Sequence, residues 1–190
     1  ELELQSAEYN LDNNKYEVIV VVPDSQLGRE QQNNKMVDQI TKLSLGCGFL
    51  EVSRVDLKGV SAIQGARQLA QILKQRNKQR RVILVSLTHS SASVRIMLDQ
   101  MNIFEMKQIQ GWVNISGLIF GSPLYFCSNK KSIFNSRHQD LMRSYSSEQK
   151  YFLKPLKKYP FKEVHFLGLK LSSQMSIAER RRTLFLRAWG

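Results

Sequence analysis

The length and composition indicate one globular domain with a basic surface. The chain has 190 residues, 42% of them hydrophobic, which is enough for a core of its own and argues against wholesale disorder. No apolar run reaches the roughly 18 residues of a membrane span. Only four prolines, ten glycines and two cysteines are present, which excludes collagen-like, low-complexity and disulfide-framework proteins. The net charge of +12 indicates an anionic partner or surface, but it does not inform on fold.

The sequence is compatible with more than one compartment. The first residue is Glu1 and no basic, then apolar, leader precedes the domain, so we expect that the native start has been removed. Cys47 and Cys127 lack a partner motif such as CxxC, which leaves the redox environment open. A soluble protein of the cytoplasm or of the cell envelope fits equally well.

An apolar strand opens the regular part of the sequence. Residues 16–22 (YEVIVVV) include five consecutive β-branched residues without polar alternation, and a Pro-Asp pair ends the run. Such a run is typical of a strand buried on both faces, as in a parallel sheet covered by helices. Residues 29–45 then carry apolar side chains at helical spacing, and Gly46 and Gly48 are suitable stops for this helix.

The strand–helix unit repeats along the chain. Residues 49–57 alternate like a strand, and Ser61 can cap a helix with one apolar face. Later segments continue the pattern, with a strand at 81–87, a helix at about 94–101, and strands at 111–120 and 164–169. This alternation predicts an α/β fold with a mostly parallel sheet flanked by helices.

The domain organisation follows from polarity along the chain. Residues 1–15 are polar and end in an Asn-rich turn, so we expect an N-terminal arm. Residues 16–190 form a single α/β domain in this interpretation. Within it, the segment at about 127–160 is polar and irregular, which predicts a largely helical insertion over the edge of the sheet.

The turn after the strand at 81–87 carries the most informative motif. Thr88, His89, Ser90, Ser91 and Ala92 have the order small, any, Ser, any, small between a buried strand and a helix. This is the layout of a nucleophile elbow, in which a strained turn lifts the serine hydroxyl to a helix N-terminus. A helix N-terminus that is simply capped by Ser90 or Ser91 is the alternative interpretation.

From about residue 16 to residue 123 the chain resembles the α/β-hydrolases of the lipase and esterase kind. The segments that carry the resemblance are VIVVVPD, LEVSRVDLKG, ILVSLTHSSAS and IQGWVNISGLIFGSP. The resemblance implies that Ser90 is the nucleophile and that backbone N–H groups of Ser91 and of Asp24 or Ser25 form the oxyanion hole. It also implies a serine hydrolase that cleaves an ester or acyl bond in a small molecule or lipid, without a cofactor or metal.

The sequence departs from that family in two respects. Thr88 and Ala92 replace the two glycines of the usual GxSxG motif, so the elbow is degenerate. The acid and histidine that should follow the serine are also poorly represented, because His89 adjoins the serine and His138 lies in a basic segment. One formal solution combines Ser90 with Asp140 as acid and His165 as base, although His165 lies within a predicted strand.

We therefore expect the C-terminal part of the fold to be incomplete, with the acid and histidine beyond Gly190. The full-length parent would then be the active hydrolase. The 190 residues alone would be essentially inactive, because an unassisted serine hydroxyl is a weak nucleophile.

Other site classes have little support. No GxGxxG or GxxxxGK[ST] motif is present, and no His, Cys, Asp and Glu residues have metal-ligand spacing, so we expect neither nucleotide cofactor nor metal. Three basic runs occur at 74–81, 154–162 and 180–182, but no recognisable module interleaves them with stacking aromatics. Nucleic acid is therefore not the expected partner. The alternative to a hydrolase is a non-catalytic domain of the same fold that binds a partner or an anionic surface.

Overall fold

A computed structural model describes residues 15–23, 30–57, 61–76, 80–117, 119 and 158–166. The predicted arm up to residue 14 and the predicted insertion up to residue 157 lie outside these ranges. The elements in chain order are β1 (Tyr16–Val22), α1 (Glu30–Gly46), β2 (Glu51–Asp56), α2 (Ala62–Gln75), β3 (Arg81–Leu87), α3 (Ser90–Gln100), α4 (Ile103–Met106), β4 (Ile109–Ile115) and β5 (Lys162–Phe166).

The five strands form one parallel sheet in the order β2-β1-β3-β4-β5. Helix α1 packs on one face of the sheet, and helices α2 and α3 pack on the other. This arrangement confirms the predicted α/β class with a parallel sheet flanked by helices. Because every strand runs in the same direction, all the strand ends meet at one edge, which we call the carboxyl edge, and all the starts meet at the opposite amino edge.

Strand β1 is buried on both faces, as its run of β-branched residues predicts. Ile19 and Val21 belong to the core beneath α2 and α3. Val18, Val20 and Val22 belong to the smaller core beneath α1. A central strand of a doubly covered sheet has no solvated face, which is why polar alternation is missing from its sequence.

Local signals fix the helix starts on the α2 and α3 face. The Ser61 side chain accepts a hydrogen bond from the Gln64 backbone N–H, which confirms the predicted N-cap of α2. Asn102 and Glu105 form a capping box at α4, since each side chain accepts from the other residue's backbone N–H. Gly65 allows α2 to lie close to α3, because a Cβ at this position would stand 3.0 Å from Ser93 Cβ.

Three element boundaries differ from those predicted. Helix α3 begins at Ser90 rather than near residue 94, because the small polar residues after β3 are helical instead of forming a loop. Strand β4 ends at Ile115 rather than at residue 120, since Ser116 turns the backbone with a φ of 53°. Strand β5 covers Lys162–Phe166 rather than 164–169. In the described part of the chain, no helix is both long and apolar enough to cross a bilayer.

Candidate functional site at the carboxyl edge of the sheet

The turn between β3 and α3 has one strained residue, and it is Thr88. Its φ is 49°, in the left-handed region that β-branched residues rarely adopt. Backbone hydrogen bonds hold the residue there, because its N–H donates to Ile115 O at 3.0 Å and its carbonyl accepts from Ser91 N at 3.3 Å. The side chain is half-buried. Thr88 therefore stands where the strand turns sharply into the helix.

Ser90 lies two residues further on, as the first residue of α3, and only 1% of its surface is exposed. Its Oγ accepts from the backbone N–H of Leu87 at 2.9 Å. The same oxygen stands 2.7 Å from Val21 O and 2.8 Å from Leu87 O, so either carbonyl can accept its proton. The hydroxyl thus ties α3 to β1 and β3. The positive φ of this turn is at Thr88 and not at Ser90, the residue predicted to be the nucleophile.

The observed turn fits the small-x-hydroxyl-x-small pattern in a different register. Thr88 is the central residue, with Ser86 two residues before it and Ser90 two residues after it. Both flanking serines are buried, at 0% and 1% exposure. Small residues are needed there because the neighbouring backbones pack closely around the turn, as the contact of Ser90 with Val21 O shows.

Ser91 points to the other side of α3, toward β4. Its hydroxyl lies 2.9 Å from Ser86 Oγ and 2.6 Å from Asn114 Oδ1. Trp112 Nε1 donates to Ser86 Oγ at 2.8 Å. These four side chains are completely buried. Each therefore needs the partners it has, because an unsatisfied polar group in such surroundings is costly.

The polar contacts continue across the sheet to β5. Ser86, Asn114 and His165 are register neighbours on β3, β4 and β5. Asn114 Nδ2 lies 3.3 Å from His165 Nδ1, and His165 Nε2 lies 3.3 Å from Glu163 Oε2. An amide nitrogen can only donate and a carboxylate can only accept, so these contacts favour the His165 tautomer that carries its proton on Nε2. The ring also stands edge-on to Trp112, 5.4 Å away.

Gly117 closes this network after β4. A Cβ at Gly117 would collide with the side chains of Ser91 and Asn114. The residue therefore has to be glycine for α3 and the end of β4 to meet as they do. Ser116, just before it, donates its N–H to Phe166 O at 2.8 Å and joins the end of β4 to the end of β5.

Comparison with known proteins supports the fold and nothing finer. No protein-family model matches the sequence, and no curated protein is significantly similar to it. Among solved structures, the crystal structure of the metagenomic carboxyl esterase MGS0156 is similar, with a TM-score of 0.51 and 12% sequence identity. The match covers 78% of this chain and 48% of that chain, so this chain spans about half the length of the esterase. The fold is α/β-hydrolase-like.

In this α/β-hydrolase-like fold, the residues predicted for catalysis do not all meet. Ser90 binds β1 and β3, whereas His165 lies on β5, two strands beyond β3 and roughly 10 Å away across the sheet. His165 approaches Ser91 instead, through Asn114. Asp24, Ser25 and Asp140 lie outside the described residues. Among the described residues, no three His, Cys, Asp or Glu side chains are grouped as metal ligands.

Helix α3 is anchored to the α/β-hydrolase-like core by a buried cation. Arg95 is fully buried, donates to the carbonyl of Ile119 and stands 3.8 Å from the Asp99 carboxylate. Asp99 also accepts from the Tyr159 hydroxyl at 2.8 Å. Burial, and then the hydrogen bond to Asp99, raise the pKa of the Tyr159 phenol, so it stays protonated and donates. These contacts hold the middle and the C-terminal end of α3 against the core.

Sequence reasoning missed several residues of this site. The predicted elbow has Thr88 at its first small position, although Ser86 and Ser90 flank Thr88 at the same spacing and offer a second register. Asn114 lies within the apolar run of β4, and no functional role is predicted for it from the sequence. One signal was available, because Asn114 shares its strand face with Trp112, and a lone amide on a core face predicts a buried polar partner.

Proposed function

We propose that this chain carries an acyl hydrolase site at the β3–α3 turn and that the attacking hydroxyl is that of Thr88. The observation that supports this proposal is the positive φ of Thr88, since the strained residue of such a turn is the one whose side chain is lifted out of the sheet. Threonine hydroxyls are chemically competent nucleophiles when a base is near. The carboxylic ester is the proposed bond class, after the name of the similar esterase.

Ser90 is the weaker candidate for the attacking group. A nucleophile must reach the substrate and must give up its proton to a base. The Ser90 hydroxyl is buried and contacts two carbonyls and one amide of the sheet. Exposing it would break these contacts at a cost of about 1–3 kcal/mol for each buried group left without a partner.

The proposed register also changes the oxyanion donors. The amide that follows the attacking residue is now that of His89, at the N-terminus of α3, where the helix dipole stabilises negative charge. The Ser91 amide, predicted for this role, already donates to the carbonyl of Thr88. Asp24 or Ser25 remains the proposed second donor, because their loop follows β1 and β1 is the neighbour of β3.

Of the predicted acid and base, Asp140 lies outside the described residues and His165 lies inside them. Both ring nitrogens of His165 face partners, Asn114 on one side and Glu163 on the other. We therefore propose that His165 orients β5 against β4 rather than serving Thr88. A His165→Gln variant should then hydrolyse esters as fast as the unaltered protein when rates are compared per folded molecule. Asp140 remains the candidate acid from the sequence.

Ester hydrolysis by two matched variants tests the proposal, using protein expressed from the complete coding sequence. Thr88→Val removes the hydroxyl and keeps the β-branched shape, so hydrolysis of p-nitrophenyl butyrate should fall on the order of 10³-fold or more. Ser90→Ala should stay within about tenfold of the unaltered protein, because it loses only a positioning contact. Circular dichroism gives the folded fraction by which each rate is divided.

A second candidate function, a non-catalytic binding domain, is favoured by the saturated hydrogen bonding of Ser90 and Ser91. Hydrolysis no faster than in buffer, with all three proteins folded, would establish that alternative. A large loss in Ser90→Ala with full activity in Thr88→Val would return the role of nucleophile to Ser90.

A further inference from the structure

In the described part of the chain, large exposed apolar side chains are concentrated at the amino edge of the sheet. Among the described residues, seven large hydrophobic side chains are exposed, and five of them lie at this edge: Leu43 at 69%, Leu45 at 52%, Leu50 at 69%, Ile103 at 70% and Phe104 at 78%. They come from the end of α1, from the residue just before β2 and from the helix α4 that precedes β4. Single exposed leucines are ordinary, but a group at one edge of a domain marks an interaction surface.

These residues form two clusters on opposite faces of the sheet. The first cluster, Leu43, Leu45 and Leu50, stands beside β2 at the end of α1. The second cluster, Ile103 and Phe104, stands beside β4. Three inter-strand steps of about 4.8 Å separate β2 from β4, so the clusters are offset by roughly 14 Å along the edge in addition to lying on opposite faces. Both can meet one flat surface that caps the amino edge.

Exposed basic side chains surround the clusters. Lys107 places its Nζ 5.3 Å from the centre of the Phe104 ring. Arg81 lies at the start of β3 and donates to the Gln110 side chain at 3.0 Å. Lys15 and Lys162 are exposed next to the starts of β1 and β5. A row of cations therefore extends along the edge from which the leucines, Ile103 and Phe104 protrude.

The nearby carboxylates are already paired with basic residues. Glu51 at the start of β2 binds Arg80, and Glu105 of α4 lies 3.4 Å from Lys74 Nζ. Glu17 is buried and binds Arg76. The described part of the amino edge thus has a surplus of positive charge, in keeping with the net charge of +12 for the whole chain.

We propose that the amino edge docks onto an anionic lipid bilayer. Apolar side chains gain free energy on entering the boundary between headgroups and acyl chains, and each nearby Lys or Arg adds about 1 kcal/mol on an anionic leaflet. The aliphatic side chains at this edge favour a lipid surface over a nucleic acid as the partner. Leucine and isoleucine gain nothing from a phosphate backbone, and a nucleic-acid surface would present stacking aromatics in their place.

Docking in this orientation leaves the carboxyl edge accessible. Strands of seven residues are about 23 Å long, and the β3–α3 turn lies at the far end of β3 from Arg81. The bilayer would therefore hold the protein by one edge while the turn faces away from it. Docking by the amino edge does not require hydrolysis at the β3–α3 turn.

Vesicle sedimentation with matched phenylalanine variants tests the proposal. The chain should sediment with vesicles of phosphatidylglycerol and phosphatidylcholine in equal amounts, and weakly with phosphatidylcholine alone. Phe104→Ser should weaken the partition coefficient about tenfold, and Lys107→Gln about fivefold, equivalent to ~1 kcal/mol. Phe166→Ser is the control, because Phe166 is 57% exposed but lies at the carboxyl end of β5. It should leave binding unchanged.

A fluorophore on the exposed Cys47 supplies an independent readout in a Cys127→Ser background. Cys47 lies between Leu45 and Leu50, so its emission should shift to the blue on anionic vesicles and be quenched by brominated lipid. Sedimentation without this shift, or equal weakening by Phe104→Ser and Phe166→Ser, would contradict docking by the amino edge. Failure to bind anionic vesicles would contradict the proposal outright, as would retention on duplex DNA under conditions in which vesicles are not bound.

Discussion

The carboxyl and amino edges of the sheet differ in which side chains they bury. At the carboxyl edge, polar side chains are buried, hydrogen-bonded to one another and packed against backbone strained at Thr88 and Ser116. At the amino edge, leucines, Ile103 and Phe104 are exposed, and basic side chains such as Lys107 and Arg81 are exposed beside them. A buried hydrogen-bond network in which the groups have partners specifies one arrangement of its side chains. Exposed apolar side chains can adopt many conformations. The difference locates the structurally constrained site at one edge and the free surface at the other.

Replacing one glycine at each edge by alanine should give the largest difference in the free energy of unfolding. Gly117→Ala would push a methyl group into Ser91 and Asn114, and we expect it to lower the free energy of unfolding by about 3 kcal/mol. Gly46→Ala, at the amino edge, meets nothing within 4 Å at the end of α1 and should raise it by about 0.5 kcal/mol. Urea denaturation of both variants measures the difference. Equal effects would contradict the contrast between the edges.

A pair of serines should give the next largest difference. Ser90→Ala leaves the backbone groups of Val21 and Leu87 without the buried hydroxyl, so the free energy of unfolding should fall by about 2 kcal/mol. Ser44→Ala, in the last turn of α1, should change it by less than about 0.5 kcal/mol. The same denaturation experiment applies. A neutral Ser90→Ala variant would show that the hydroxyl is dispensable for the fold, against our account of it as a structural tie.

Replacing a threonine by glycine should change the free energy of unfolding least, and the sign of the change should differ between the two sites. Thr88→Gly relieves the positive φ and should raise the free energy of unfolding by about 1 kcal/mol. Thr41→Gly, inside α1, should lower it by about 0.5 kcal/mol. Thermal unfolding followed by circular dichroism measures both. Destabilisation by Thr88→Gly would mean that Thr88 is not strained in solution.

Much of the fold could be predicted from the sequence because it depends on patterns of neighbouring residues. The β-branched run of β1 predicts a doubly covered strand, and the Ser61 cap predicts the start of α2. The sequence predicts a later start for α3 than the structure has, because the first four residues of α3, Ser-Ser-Ala-Ser, have the composition of a loop. That error moved the centre of the turn from Thr88 to Ser90.

The remaining features depend on contacts between distant segments. The row of Ser86, Asn114 and His165 exists only once β3, β4 and β5 pair in this register. The burial of Arg95 likewise needs Ile119 and Asp99 around it. The amino edge gathers residues more than fifty positions apart in the chain, so no single window of sequence shows it as a surface.

The central claim is that the β3–α3 turn presents Thr88 and buries Ser90. The most direct measurement is to treat the protein, expressed from its complete coding sequence, with a fluorophosphonate probe and to map the modified residue by tandem mass spectrometry. The account predicts an adduct on Thr88 that is absent from Thr88→Val and retained in Ser90→Ala. An adduct on Ser90, or a folded protein that takes up no probe, would contradict it.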